Sequence, residues 1–203
     1  MRNYLKTLQS FVAGFTLLLC AGAGAQAVAL SAPVVLVATD RLAGSPYEQT
    51  VLLAVPSGDG EHLGLILNRP TGIDLSTVFP DATPSPTATG PVFFGGPEMS
   101  DEIFAAVRAT DPPSQYSVSL LPGLFLVTDA DTVDRLVTAS PGVARYFAGF
   151  VVWQQGELAH EIQNGMWDVQ SADTNVLFRE NPQELWLDLA RKSTRVSTDW
   201  RER

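Results

Sequence analysis

Residues Phe150–Trp167 read Phe-Val-Val-Trp-Gln-Gln-Gly-Glu-Leu-Ala-His-Glu-Ile-Gln-Asn-Gly-Met-Trp, and they constrain the fold more than any other stretch of the chain. The β-branched, apolar run up to Trp153 has strand character. The Gly156 turn that follows opens a short amphipathic helix. Gly165 closes the helix before Trp167 resumes an extended run. The unit is therefore strand, turn, short helix and strand. A helix this short is stable only when its apolar face packs on a sheet, and Trp153 and Trp167 read as its packing anchors.

The N-terminus follows different rules. Arg2 and Lys6 precede an uncharged apolar core from Phe11 to Leu19, and Ala25-Gln26-Ala27 fits the small-x-small pattern of a secretory cleavage site. Residues 1–27 are thus expected to be a cleaved export signal, which places the mature protein in the periplasm or outside the cell. The alternative is an uncleaved N-terminal anchor, because no charge occurs from Phe11 to Ala38. A lipoprotein site at Cys20 is the weaker reading, since Leu19 stands where that processing requires a small residue. Cleavage lowers the basic residues from 13 to 11 against 22 acidic ones, moving the net charge from -9 to -11. An acidic surface of this kind repels phosphate backbones, so no nucleic-acid partner is expected. Cleavage also removes Cys20, the only cysteine, and with it any disulfide, thiol nucleophile or thiolate ligand.

Residues 34–190 read as one domain, followed by a charged, frayed tail over 191–203. Strands are expected at Val34 to Ala38, Thr50 to Val55, Leu63 to Leu67, Val92 to Phe94, Tyr116 to Leu120, Leu124 to Thr128 and Arg145 to Val152. Pro56-Ser57-Gly58-Asp59-Gly60 is a hairpin loop, and Pro80 to Pro91 an exposed loop. Ile103 to Val107 fits either helix or strand. Asp74 and Asp129 are N-cap candidates, the latter for a helix reaching Pro141-Gly142, and Asn181-Pro182-Gln183-Glu184 starts the last helix. Strands cluster early and helices late, which favours an α+β arrangement around one mixed sheet.

Several motifs suggest chemistry, and each has a plainer reading. Glu157 and His160 lie three apart on a helix and could both face a metal, but carboxylate-bridged sites need a second such pair. His160-Glu161 also begins like a zinc-protease helix, yet Asn164 occupies the second His position. No metal and no cofactor are expected. Gly95-Gly96-Pro97 lacks the Gly spacing and Lys of a phosphate-binding loop, and Pro97 removes a donor, so a structural bend is favoured. Asn68-Arg69-Pro70 ends a strand, where Arg69 could hold a carboxylate or brace its own loop. His62 reads as an exposed loop residue. Gly-x-Ser-x-Gly and dinucleotide-binding signatures are missing.

In order along the chain, these motifs resemble the YqgE/AlgH family. The resemblance rests on Leu36-Val37-Ala38-Thr39-Asp40-Arg41-Leu42, Tyr47-Glu48-Gln49-Thr50-Val51, Gly64-Leu65-Ile66-Leu67-Asn68-Arg69-Pro70, Phe93-Phe94-Gly95-Gly96-Pro97, the Trp153–Trp167 block, Leu177-Phe178 and Trp186. It covers Val34 to Leu189. It implies a single α+β domain with a complex, split mixed β-sheet surrounded by helices. It implies no established activity and no catalytic residues. One family member's name suggests transcriptional regulation, a role that an exported acidic domain fits poorly. The chain departs from a Gly-x-x-Gly-Trp-Gly pattern followed by Gly-Gln-Leu, having Val152, Gln154 and Glu157 at the altered positions.

The expected function is a non-enzymatic exported domain that binds a small molecule or an envelope protein through Asn68, Arg69, Gly95, Gly96, Trp153 and Glu157. One alternative is an enzyme using Glu157 or His160 as general base, with Arg69 binding an anionic substrate. The other is the regulator suggested by the family name.

Overall fold

Ten strands among the described residues pair into one sheet that bends back on itself. The protein is described by a computed structural model over residues 30–80, 90–139 and 144–199. The expected export signal, most of the Pro80 to Pro91 loop and Pro141-Gly142 lie outside those residues.

The strands are β1 (Val34–Ala38), β2 (Val51–Gly58), β3 (Glu61–Ile66), β4 (Pro70–Asp74), β5 (Pro91–Phe94), β6 (Glu98–Arg108), β7 (Ser117–Leu121), β8 (Leu124–Val127), β9 (Ala144–Trp153) and β10 (Trp167–Ser171). The main order is β10-β1-β2-β3-β9-β6-β8-β7, with β5 also joined to β9 and β4 to β5. Among the described residues only the β5–β9 pairing is parallel, and it makes the sheet mixed. The helices are α1 (Leu75–Val78), α2 (Ala130–Ala139), α3 (Glu157–Gln163), α4 (Thr174–Leu177) and α5 (Leu185–Asp199), with 3-10 turns at Asp40–Leu42 and Pro182–Glu184.

The unbroken apolar runs of β1 and β2 are explained by burial on both faces. Val35, Val37, Val51, Leu53 and Val55 point into one cluster, which Leu177, Leu185 and Leu189 from α4 and α5 cover. Leu36, Ala38, Leu52 and Ala54 point the other way, against Leu158 of α3 and the two indoles of Trp153 and Trp167. Period-two alternation sends neighbouring side chains to opposite faces, so a strand covered on both sides must be apolar throughout. A third cluster packs Val133 and Val137 of α2 and Leu75 of α1 onto Ala105, Val107 and Val127.

The long strand β9 belongs to both halves of the sheet. Tyr146 to Ala148 pair with β6, whereas Val151 to Trp153 pair with β3. Gly149, whose φ of 69° is in the left-handed region, sits at the register shift of the β6–β9 pairing, just before β9 takes up β3 as a partner.

Several local expectations are corrected. Pro56 to Gly58 belong to β2 across a bulge, and the turn is only Asp59-Gly60, both with positive φ as a tight hairpin requires. Consequently His62 is in β3 and only 8% exposed, with Nε2 3.0 Å from the Leu30 carbonyl oxygen. The segment over Ile103 to Val107 is strand, and it begins as early as Glu98 after a register shift. Asp74 and Asn181 occupy cap positions without side-chain cap bonds. The helix α4 was not anticipated; Asp173 caps it through the Asn175 amide at 2.9 Å. The helix α5 runs on to Asp199, so residues 191–199 are helical, with no Gly or Pro to interrupt them.

Candidate functional site

Of the six residues singled out in the sequence, Asn68, Arg69, Gly95 and Gly96 lie around the crossing of β9, Trp153 ends β9 and Glu157 opens α3. Gly95 donates its N–H to the Ala148 carbonyl at 2.8 Å and accepts from the Ile66 N–H at 2.9 Å, linking the two halves of the sheet. A Cβ at Gly95 would lie 2.2 Å from the Gly149 oxygen, and one at Gly96 would lie 2.2 Å from the Phe150 oxygen. These glycines are required by the close approach of two backbones. The Gly95 amide is committed to that crossing.

Asn68 extends the β2–β3 ladder with its side chain. Its Oδ1 accepts from the Val51 N–H at 2.9 Å and its Nδ2 donates to the Gln49 carbonyl at 2.8 Å. Arg69 donates from Nη2 to Thr50 Oγ1 at 2.6 Å and to the Glu48 carbonyl at 3.3 Å. Phe94 in turn donates its N–H to the Arg69 carbonyl at 2.8 Å, so Asn68, Arg69, Gly95 and Gly96 do come together. Burial lowers the Arg69 pKa, with Tyr47 acting in the opposite sense. Both side chains brace the end of β3.

Trp153 is paired with His62 near the opposite end of β3, and its ring rests where a Cβ on Gly64 would stand, 2.5 Å from a ring carbon. Its Nε1 donates to Glu161 Oε2 at 3.0 Å, and Trp167 Nε1 donates to the same oxygen at 2.7 Å. Glu161 thereby locks two indoles that are only 3% and 5% exposed. Tyr47 meets Trp167 edge-on, with ring centroids 6.0 Å apart. Burial, followed by the nearby charge of Glu161, raises the Tyr47 pKa, while Arg69 opposes the rise. Glu157 closes the turn before α3 by accepting the Gln154 N–H at 3.0 Å. His160 lies within 3.3 Å of the Asn164 amide nitrogen. Among the described residues, no three His, Cys, Asp or Glu side chains stand close enough to hold a metal ion. Tyr47 and Glu161 were missed as members of this cluster, although both lie in motifs that carry the family resemblance.

A different region offers room for a ligand. A cleft of about 1060 Å³ opens between β4, β5, the start of β9 and the segment Phe178 to Glu184. Arg145 lines it, with its guanidinium carbon 4.4 Å from the centre of the Phe93 ring. Nη2 donates to the Arg179 carbonyl at 2.8 Å, and Nη1 is enclosed without an acceptor among the described residues. Desolvation lowers the Arg145 pKa to about 10. Beside it, burial pushes the Tyr146 hydroxyl up to about 12. Sequence reasoning did not select Arg145. The available signal was one cation inside the otherwise uncharged run from Ala144 to Trp153.

Taken together, the structure defines an α+β domain built on a curled, largely antiparallel sheet with helices on its faces. The chain belongs to the AlgH-like family, whose model matches residues 35–195. A UPF0301 protein of Streptomyces coelicolor is 29% identical over 161 residues, covering 77% of this chain and 83% of the relative. Another, from Bordetella avium, is 34% identical over 145 residues, covering 68% and 70%. Among solved structures, the AlgH protein of Pseudomonas aeruginosa matches with a TM-score of 0.64 at 27% identity, covering 78% of this chain and 85% of that one. A Corynebacterium diphtheriae protein at 24% identity shares the fold with a TM-score of 0.62.

Proposed function

We propose that this protein is a non-enzymatic, exported binding domain that holds a small molecule, or a short segment of an envelope protein, in the cleft beside Arg145. The cleft carries the reading. Its volume suits a ligand of drug-like size or somewhat larger, and its walls mix apolar surface from Pro70, Pro91, Phe178 and Pro182 with polar groups from Thr71, Arg145, Asn181 and Gln183 that can orient a ligand.

The enzyme alternative draws little support from the residues named for it. Glu157 is engaged in closing a turn, and Arg69 donates within its own loop. The regulator alternative requires a surface for phosphates, and a net charge of -9 opposes one. Export rests on the leader-like segment alone.

Two measurements test the proposal. Cell fractionation with N-terminal sequencing should find a periplasmic protein that begins near Val28; a cytoplasmic protein starting at Met1 would overturn the export claim. Native mass spectrometry of the protein isolated without denaturation should detect a retained small ligand or peptide. Gln183→Trp, which fills the cleft from an exposed position, should abolish retention, and Arg69→Ala should not. Retention unaffected by Gln183→Trp would count against the cleft.

A further inference from the structure

We infer that the cleft recognises a carboxylate, and that Arg145 supplies the counter-charge to a monoanionic ligand with a flat apolar body. This rests on the proposed binding role and adds to it the chemical class of the ligand and the residue that selects it.

The first support is an uncompensated charge. Burial alone accounts for the lowered pKa of Arg145, with no carboxylate pulling it back up. The ion pair found among the described residues joins Arg179 to Asp188, on the neighbouring segment. A guanidinium has five N–H donors, and among the described residues Arg145 is satisfied at Nη2 through a neutral carbonyl, with Nη1 enclosed and without an acceptor. A desolvated cation without a counter-ion is costly unless a ligand provides one.

The second support is preorganisation. The Phe93 ring lies under the guanidinium at 4.4 Å and the Arg179 carbonyl fixes one edge, so the planar group is held before any ligand arrives. A stacked, immobilised guanidinium suits a planar carboxylate as counter-ion.

The walls define the rest of the ligand. Phe178 and Pro182 offer apolar surface for a flat group. Glu180 and Glu184 line the same cleft, and the whole chain is acidic. One cation amid that field can balance one negative charge, so a carboxylate is favoured over a phosphate dianion. Such a carboxylate belongs either to a free aromatic acid or to the C-terminus of a polypeptide ending in an aromatic residue.

The test titrates the mature protein by calorimetry with phenylacetate, phenylacetamide and phenyl phosphate. A short peptide ending in Gly-Phe, with either a free or an amidated C-terminus, completes the set. An acid should bind at least about tenfold more tightly than its amide, with phenyl phosphate weaker than phenylacetate. Arg145→Gln should remove the preference, and Arg145→Lys should keep part of it, with thermal melts confirming that both variants are folded. Tighter binding of the free-acid peptide than of phenylacetate would identify a polypeptide C-terminus as the source, and the reverse a small molecule. Equal binding of acid and amide, unchanged in Arg145→Lys, would overturn the carboxylate inference and leave the binding role standing. If none of the probes binds, the carboxylate inference falls, and the binding role is judged by the retention measurement alone.

Discussion

Glu161→Ala is the substitution from which most can be learned. One carboxylate oxygen accepts both indole N–H groups, from Trp153 at 3.0 Å and from Trp167 at 2.7 Å. Both rings are buried on the same face of the sheet, under α3. Removing the carboxylate leaves two indole donors without a partner. Each buried unsatisfied group costs about 1–3 kcal/mol, and Glu161 is itself only half-buried, so water can recover part of this. The expected loss is about 2–5 kcal/mol, a large part of a typical domain's stability of about 5–15 kcal/mol. Glu161→Gln keeps an oxygen acceptor and should cost about 1 kcal/mol. Urea unfolding followed by far-UV circular dichroism measures both. In a Trp153→Phe, Trp167→Phe background the donors are gone, so Glu161→Ala should cost much less, a coupling that a double-mutant cycle isolates. A loss below about 0.5 kcal/mol in the wild-type background, or an equal loss in both backgrounds, would refute the indole clamp.

Gly96→Ala should abolish cooperative folding, with a cost above about 4 kcal/mol, because the new methyl would meet the Phe150 backbone at 2.2 Å; a melting temperature within a few degrees of wild type would contradict the crossing. Asn68→Ala removes both side-chain bonds at the end of β2 and should cost about 1–3 kcal/mol in the same unfolding assay. Hydrogen bonds from Ser114 and then Thr132 hold the Asp129 carboxyl below its ordinary value of 3.8. A depressed folded-state pKa contributes stability that is present above the ordinary value and lost as pH falls through the folded one. Ser114→Ala should therefore raise the Asp129 pKa in a carbon-13 NMR titration and reduce the drop in stability on acidification. An unchanged titration would exclude the Ser114 contribution.

The parts of the fold legible in sequence were those marked by local chemistry. Gly156 and Gly165 bracket α3 with φ values of 82° and 70°, conformations that glycine favours. The two-faced apolar runs of β1 and β2 could be read directly, and Asp129 announced α2. Less could be read where polar sequence joins the sheet. Glu98 to Glu102 opens β6 through a register shift, and no periodicity marks it. Residues 191–199 are helical by continuation of α5, although their composition reads as tail. The frame residues Asn68, Arg69, Gly95 and Gly96 were found together, but what they do depends on backbone partners that sequence does not display. The cleft was illegible for a related reason. Phe93, Arg145 and Phe178 are brought to it by β5, β9 and the segment after α4, elements far apart in the chain.

The most direct test of the binding role makes no assumption about the ligand. Amide nitrogen–proton chemical shifts of the mature protein, recorded against a fragment set that mixes aromatic acids, amides and amines, should move in one cluster around Thr71, Phe93, Arg145 and Gln183. Acids should cause the largest shifts. Shifts gathered around Tyr47, Arg69 and Glu157, or no saturable shifts at all, would contradict the assignment of the cleft as the site of binding.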